Sequence, residues 1–332
     1  MTQTATKTRT ALSLEECYDI SDRILSGVSG VFLGKRDKIT NVLCALYAGG
    51  HILIEDVPGV GKTTLATALA KTTGLKCNRA QFTPDVTASD ITGFNMYNRK
   101  TDEFVYREGL AMCNILLADE INRTSPKTQS SLLEAMEERK VTVDGITYEL
   151  PKPFIVIATQ NPSGYVGTYP LPEAQIDRFL MRISLGYPDA ESEKRMIMDR
   201  KSENPLDLLG PAAESGGEAV RTIQNYCSGV YIDDRIYSYI VELVAKTRSH
   251  RSLELGASPR ASVALMKASQ AAAFIDKRDY VLPEDVKRVF AVTTAHRFVF
   301  KQEARFGKLT AEAVAAEVLE STETPFMGSR RR

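Results

Sequence analysis

The chain lacks several features that would place it in a specialised class of protein. Its five cysteines are scattered with no C-x-x-C pair, which argues against a disulfide framework and against a zinc site. The three histidines are far apart and form no metal-binding pattern. No hydrophobic run approaches the length of a bilayer span, and the polar N-terminus has no signal-peptide core. We therefore expect a cytoplasmic protein with no direct membrane insertion.

An excess of charge of either sign is also missing. Lys+Arg and Asp+Glu both number 42, so the formal net charge is zero. Without a net positive field, generic binding to a phosphate backbone loses its main support, and nucleic acid is disfavoured as a partner. The 332 residues with 43% hydrophobic content are enough to bury a sizeable core and to form two domains.

Two regions of different character follow one another along the chain. Apolar strand-like runs alternate with helical patterns as far as residue 186, and these runs are 51–55, 114–118, 154–159 and 180–185. Such alternation predicts an α/β core with a parallel central sheet. Beyond residue 189 the strand signal is absent, and the strongest helical patterns cover 233–249, 258–276 and 283–297. We predict a core over 1–188, a smaller all-helical domain over 189–320 and a flexible tail over 321–332.

The segment 55–64 reads Glu-Asp-Val-Pro-Gly-Val-Gly-Lys-Thr-Thr and lies between an apolar run and an alanine-rich helical pattern. This position and composition predict a phosphate-binding loop, in which Lys62 reaches the β and γ phosphates and Thr63 ligates Mg²⁺. Asp56 stands where the pattern G-x-x-x-x-G-K-[ST] has its first glycine. The alternative is a Gly-Pro turn before an ordinary helix. The predicted phosphate contacts are Pro58, Gly59, Val60, Gly61, Lys62, Thr63 and Thr64.

Two later strand-like runs end in polar side chains. The run 114–118 is followed by Asp119 and Glu120, and the run 154–159 is followed by Gln160 and Asn161. Because ligands gather at the carboxyl ends of parallel strands, we expect Asp119 to hold Mg²⁺ and Glu120 to orient the attacking water. An acidic strand end that faces solvent is the alternative. Asn161 can bond the γ-phosphate or the water, although Asn-Pro is also a common turn signal.

The order of these motifs resembles the MoxR group of AAA+ ATPases over about residues 15–300. The motifs are the phosphate loop, Leu-Ala-Asp-Glu-Ile-Asn-Arg (117–123), Ala-Thr-Gln-Asn-Pro (158–162), Leu-Pro-Glu-Ala-Gln-Ile-Asp-Arg-Phe (171–179) and Gly-Ala-Ser-Pro-Arg-Ala (256–261). The resemblance implies ATP and Mg²⁺ as cofactors. It also implies that Asn161 is a first sensor, that Arg178 is an arginine finger for the neighbouring subunit and that Arg260 is a second sensor on the lid. Val31 and Gly34 would belong to the adenine pocket.

Both arginines also have a physical interpretation. A guanidinium beside a triphosphate covers charge that develops between the β and γ phosphates, and Asp177 is placed to orient Arg178. An ordinary ion pair is the alternative for Arg178. Arg260 falls in the first turn of a predicted helix, so closure of a lid would carry it toward the γ-phosphate. The alternative there is a surface arginine.

Two segments are predicted to be hairpins inserted in the core. Residues 91–107 place aromatic residues on both sides of a polar tip, and residues 140–150 contain Asp-Gly between alternating residues. They resemble the helix-2 insert and the pre-sensor hairpin of this group, which would line or rim the pore of a ring. The alternative is a pair of surface hairpins that only stiffen the fold.

These patterns together predict a Mg²⁺-dependent ATPase that assembles into a homo-oligomeric ring, a hexamer by resemblance, and remodels or matures a protein client. The resemblance also suggests a partner with a von Willebrand A domain. Two rival functions remain at this point. One is a motor like the MCM proteins or magnesium chelatase, and the other is a scaffold that binds ATP without hydrolysing it.

Overall fold

The computed structural model describes residues 12–160, 168–199, 204–305 and 309–326. The strands are β1 (Ile52–Glu55), β2 (Cys77–Gln81), β3 (Gly93–Asn98), β4 (Glu103–Glu108), β5 (Ile115–Asp119), β6 (Lys140–Val143), β7 (Ile146–Glu149), β8 (Ile155–Gln160), β9 (Met181–Ile183), β10 (Leu253–Leu255) and β11 (Val299–Phe300). The helices are α1 (Leu14–Val31), α2 (Arg36–Tyr47), α3 (Lys62–Thr73), α4 (Ala88–Thr92), α5 (Pro126–Glu138), α6 (Glu173–Ile176), α7 (Ala190–Asp199), α8 (Gly216–Ser228), α9 (Asp234–Arg248), α10 (Pro259–Ile275), α11 (Pro283–Thr294), α12 (Gln302–Arg305) and α13 (Ala311–Ser321). Short 3₁₀ turns lie at Ile121–Arg123, Pro205–Leu208 and Ala295–Arg297.

A five-stranded sheet forms the centre of the core, in the order β2-β5-β8-β1-β9. All of its strand pairs are parallel, which confirms the predicted α/β class. Strand β2 was not predicted, because its sequence Cys-Asn-Arg-Ala-Gln is largely polar. It lies at the edge of the sheet, where partly exposed side chains are tolerated.

The sheet is buried on both faces, because successive side chains of a strand point to opposite sides. Ile115 and Leu117 of β5 belong to one apolar cluster, which also includes residues of α1, α2 and the helices after residue 216. Leu116 and Ala118 belong to a second cluster with Leu132 and other residues of α5. The first cluster therefore joins the sheet to the C-terminal helices through the two N-terminal helices.

Two antiparallel hairpins extend the core. Strands β3 and β4 pair over their full length directly after the short helix α4, and β6 pairs with β7. The turn of the second hairpin is Asp144-Gly145, with φ of 49° and 80°, as an Asp-Gly two-residue turn requires. The hairpins contact each other, because Tyr106 stacks on Tyr148 with ring centroids 3.9 Å apart. Asn95 Nδ2 also donates to Asp144 Oδ2 at 2.7 Å.

The described residues after 189 are mainly helical and contain α7 to α13, as expected for a region that includes a helical lid. Helices α9, α10 and α11 lie within a few residues of the predicted spans. The structure adds one element that the all-helical prediction omitted, a small antiparallel ladder between β10 and β11. These strands are only three and two residues long, too short to give a recognisable alternation. Over the described part of the chain, no helix is both long and apolar enough to cross a membrane.

Candidate functional site

The loop between β1 and α3 contains two glycines with a backbone conformation that other residues rarely adopt. Gly59 and Gly61 have φ of 86° and 90°, in the left-handed region that favours glycine. Gly61 is also crowded, because a Cβ atom there would lie 2.9 Å from Cε2 of Phe32. Gly61 precedes the first residue of α3, where the free N–H groups and partial positive charge of a helix N-terminus suit a phosphate.

Lys62 is the first residue of α3 and is only 8% exposed. Its Nζ donates to the carbonyl oxygen of Asp56 at 2.7 Å. Burial lowers the pKa of Lys62, whereas the carboxylates of Asp56, Asp119 and Glu120 act in the opposite direction. The ammonium and the acid pair therefore share one site, and a triphosphate placed there would meet a partly desolvated cation.

Asp56 anchors the loop to the end of β9. Its Oδ2 accepts from the backbone N–H groups of Leu185 at 2.6 Å and Gly186 at 2.7 Å, and from Ser184 Oγ at 3.2 Å. Its Oδ1 accepts from the N–H of Val57 at 3.0 Å. The side chain that departs from the usual loop pattern thus fixes where the loop starts relative to the sheet.

The acid pair lies at the carboxyl end of β5. Asp119 Oδ2 accepts from Arg79 Nε at 2.8 Å, and Asp119 Oδ1 accepts from Thr159 Oγ1 at 3.2 Å. The same Thr159 hydroxyl accepts from the backbone N–H of Glu120 at 2.9 Å. Glu120 has φ 57° and ψ 48°, a left-handed conformation that costs a non-glycine residue about 1–3 kcal/mol. Thr159 on β8 thus holds both acids of β5 in place.

The loop and the acids surround one cavity of about 330 Å³. Its lining residues are Pro58, Gly59, Gly61, Lys62, Thr63, Thr64, Arg79, Gln81, Asp119, Glu120 and Thr159. The side chain of Val60, also predicted as a phosphate contact, packs in the core, and a contact through its backbone N–H stays a prediction. The donor set fits Mg²⁺ and a triphosphate, because hydroxyl and carboxylate oxygens of Thr63 and Asp119 are ligands that suit a hard cation.

The segment predicted for the adenine pocket lies outside that cavity lining. Helix α1 ends at Val31, and Gly34 has φ of 74°. A Cβ atom on Gly34 would lie 2.3 Å from Ser192 Oγ and 2.9 Å from Asp189 Oδ2, at the start of α7. Gly34 therefore packs against the first lid helix, and a role in holding adenine stays a prediction. Asn161 lies outside the described residues, so its role also stays a prediction.

Arg178 and Arg260 line a different cavity, of about 230 Å³, which lies at the amino ends of the strands. Gly50 and His51, which precede β1, also line it, whereas the phosphate loop follows the end of β1. The N–H of Leu180, two residues after Arg178, donates to the His51 carbonyl at 2.8 Å. The four residues of β1 span about 13 Å. Arg178 and Arg260, which line the same cavity, are thus separated from their own phosphate loop by the length of the strand. This separation does not support the expectation that closure of the lid carries Arg260 to the γ-phosphate of its own chain.

Comparisons with known proteins show the family to which the chain belongs. Residues 51–181 match the model of the ATPase family associated with various cellular activities (AAA), and residues 245–318 match the AAA lid domain. The protein YeaC of Bacillus subtilis is 49% identical over 318 residues, which cover 96% of this chain and 99% of the relative. Chaperone MoxR1 of Mycobacterium tuberculosis is 38% identical, with 92% of this chain and 82% of the relative covered.

The chain belongs to the MoxR family of AAA+ ATPases. Its fold agrees with this assignment, because a crystal structure of a protein from Cytophaga hutchinsonii superposes with a TM-score of 0.86 at 37% sequence identity. That superposition covers 94% of this chain and 98% of the other. The parallel sheet followed by a helical lid is therefore a property that this MoxR-family chain shares with a solved relative.

Three residues that line the cavity were not found from the sequence, namely Arg79, Gln81 and Thr159. Arg79 and Thr159 both hydrogen-bond to Asp119, and each is 40 residues away from it along the chain. Arg79 lies on the edge strand that the sequence did not predict. Thr159 lies on a predicted strand, in the Ala-Thr-Gln-Asn-Pro motif. A polar residue that interrupts an apolar strand at its carboxyl end was the only signal available for Thr159.

Proposed function

We propose that this protein hydrolyses ATP with Mg²⁺ at the cavity between the phosphate loop and the acid pair, and that a neighbouring copy completes each site with Arg178 and Arg260. The observation that carries the proposal is the position of the two arginines. They lie together at the amino end of the sheet, while the loop and the acids lie at the carboxyl end. In a head-to-tail contact, the amino ends of the strands in one copy would face the carboxyl ends of the strands in the next copy. Repetition of that contact closes a ring. The family resemblance suggests six copies.

The described residues supply the parts of phosphoryl transfer. Lys62 and the N-terminus of α3 bind the β and γ phosphates. Bound at Thr63 and Asp119, Mg²⁺ would neutralise phosphate charge. Glu120, which lines the cavity and accepts from Arg123 Nη1 at 3.0 Å, orients the attacking water and accepts its proton. The neighbour's Arg178 and Arg260 stabilise the charge that develops on the transferred group.

The two hairpins offer a surface for a protein client. Phe94, Met96, Tyr97 and Phe104 on β3 and β4 are 40–73% exposed, and a group of exposed large apolar side chains is typical of an interaction surface. Chaperone MoxR1 is a relative by sequence, and its name supports extending the proposal to a chaperone-like action on a client. A partner with a von Willebrand A domain fits the same proposal by resemblance alone.

The test of the shared site mixes two inactive variants. Lys62→Ala removes the phosphate contact of a subunit but leaves its arginines, and Arg178→Ala does the reverse. Each variant alone should lose about 10³-fold or more in ATPase rate. In an equal mixture, about one interface in four combines an intact loop with an intact arginine face, so about a quarter of the wild-type rate should return. Steady-state phosphate release measures the rate.

The matched control mixes Lys62→Ala with Glu120→Gln. Both of these variants are defective on the same side of the interface, so every site in the mixture is incomplete and the rate should stay low. In addition, wild-type specific activity should rise with protein concentration as copies assemble. An undiminished rate in dilute monomer, or no recovery in the first mixture at any ratio, would show that the site is complete within one chain.

A further inference from the structure

A buried arginine of the lid holds the turn that carries Arg178. Arg297 ends the 3₁₀ turn after α11 and is 9% exposed. Its Nε donates to Asp177 Oδ1 at 2.7 Å, and its Nη2 donates to the carbonyl oxygens of Asp177 at 3.1 Å and Phe179 at 2.8 Å. These two residues flank Arg178 on either side. One guanidinium therefore hydrogen-bonds to the backbone immediately before and after the proposed arginine finger.

The same carboxylate is also linked to the helix that carries Arg260. Ser258 Oγ donates to Asp177 at 3.3 Å and 3.4 Å from the two carboxylate oxygens. Ser258 is the residue before α10, and Arg260 is the second residue of that helix. Asp177 thus receives hydrogen bonds from two separate parts of the lid. The Arg178 turn and the start of α10 are joined at one point.

The bonding pattern of Arg297 indicates that it positions other groups and does not itself receive a ligand. A guanidinium has five N–H donors. Four of them are occupied, because Arg297 Nη1 also donates to the carbonyl of Thr293 at 2.8 Å. Arg178, in contrast, makes a 2.9 Å bond to the carbonyl of Leu133 through one nitrogen and is only partly buried. Arg260 pairs through Nη2 with the exposed carboxylate of Glu137. Arg178 and Arg260 therefore keep N–H donors for a ligand, whereas four of the five N–H donors of Arg297 bind the turn and α11.

The charge of Arg297 is retained in this setting. Burial lowers the pKa of Arg297 to about 10, the carboxylate of Asp177 opposes that effect and the neighbouring charge of Arg260 adds to it. At neutral pH the guanidinium is protonated, since a pKa near 10 is well above 7. Asp177 and Arg297 therefore form a partly buried ion pair, and loss of one partner leaves the other uncompensated.

We propose that the ion pair between Arg297 and Asp177 connects the lid rigidly to the turn that carries Arg178. Arg178 and Arg260 then reach the neighbour's triphosphate together. This inference rests on the proposed function, because it concerns the arginine face of the same shared site. Arg297 is a positioning residue in this scheme. It acts through the orientation of the two arginines and not through contact with phosphate.

The experiment measures kcat and the position of the defect in mixed rings. Arg297→Met should lower kcat by about tenfold to a hundredfold, because a misplacement of about 1 Å at a reacting group has that cost. Binding of a fluorescent ADP analogue to the variant's own loop should be unchanged. An equal mixture of Arg297→Met with Lys62→Ala should regain activity, and a mixture with Arg178→Ala should not. A variant that was merely misfolded would lack a working loop and would rescue neither partner.

Two further variants keep the outcome decisive. If Arg297→Met does not fold, Asp177→Asn replaces it, because the amide keeps an oxygen acceptor while the charge is lost. Arg297→Lys should give partial activity, since an ammonium restores charge without the fork that spans Asp177 and Phe179. The proposed rigid connection is refuted if kcat of a folded variant stays at the wild-type value. It is also refuted if a folded variant gives no recovery with Lys62→Ala while the mixture of Arg178→Ala and Lys62→Ala does recover. If that reference pair also fails, the shared site itself is refuted.

Discussion

Asp56 offers the sharpest prediction about the phosphate loop. Replacement of Asp56 by Ala removes the acceptor for the N–H groups of Leu185 and Gly186, which lie 2.6 Å and 2.7 Å from its Oδ2. Asp56 is 7% exposed, so water has little access to the donors that are left behind. A hydrogen bond to a charged acceptor contributes about 1.5–3 kcal/mol, and the two together predict a loss of about 3–6 kcal/mol.

A neighbouring carboxylate serves as the control. The Glu55 side chain is 30% exposed and pairs with Arg182 at 3.1 Å, so Glu55→Ala should cost about 0–1 kcal/mol. The loss of stability in Asp56→Asn should lie between those of Asp56→Ala and Glu55→Ala. The amide oxygen can accept from some of these donors, but the NH₂ group cannot. The free energy of unfolding is measured by guanidinium titration and circular dichroism without nucleotide. Equal losses for Asp56→Ala and Glu55→Ala would refute the anchoring role.

The same change should weaken the phosphate grip. Lys62 Nζ donates to the backbone carbonyl of residue 56, so a shift of the backbone in Asp56→Ala moves the hydrogen-bond acceptor of the Lys62 ammonium as well. We expect a weaker affinity for ATP in Asp56→Ala even under conditions in which the variant remains folded. Isothermal titration with a nonhydrolysable ATP analogue measures this. Unchanged affinity would mean that the loop keeps its shape without the anchor.

The remaining predictions concern the loop glycines and a buried histidine. Gly61→Ala should weaken binding of the ATP analogue more than Gly59→Ala, because both need a positive φ but only Gly61 also meets Phe32 at 2.9 Å, whereas nothing lies within 4 Å of a Cβ on Gly59. Equal effects in titration calorimetry would exclude the steric contribution. Burial, with the nearby charge of Arg139, lowers the pKa of His51 to about 3, whereas the ordinary pKa of a histidine in the unfolded chain is about 6.5. Stability from His51 is therefore fully present above pH 6.5 and falls as pH drops toward 3, by about 2 kcal/mol between pH 7 and pH 5. The free energy of unfolding, measured by guanidinium titration at the two pH values, should fall less between pH 7 and pH 5 in His51→Asn than in the wild type. An equal fall in both proteins would contradict the role given to His51.

The phosphate loop and the acid pair could be predicted because their signals are local. The two glycines, Lys62 and Thr63 lie within five consecutive residues, and Asp119 and Glu120 directly follow one apolar strand. The chain geometry of a strand-loop-helix unit then places each group, whatever the rest of the fold does. The alternation of strands and helices gave the parallel sheet and the helical lid for the same reason, since hydrophobic periodicity is read over short windows.

The contacts that complete the site are long-range and appeared only in the folded chain. Thr159 and Arg79 reach Asp119 from separate strands, and Arg297 reaches Asp177 across 120 residues of sequence. Hydrogen bonds between distant polar side chains leave no periodic pattern in a single sequence. The sequence by itself therefore determined which residues carry the chemistry that we propose for binding and hydrolysing a triphosphate. Tertiary packing decided that the two arginines lie at the amino ends of the strands, whereas the loop lies at the carboxyl ends. The full length of a strand separates the two positions, because all strands of the sheet run in the same direction.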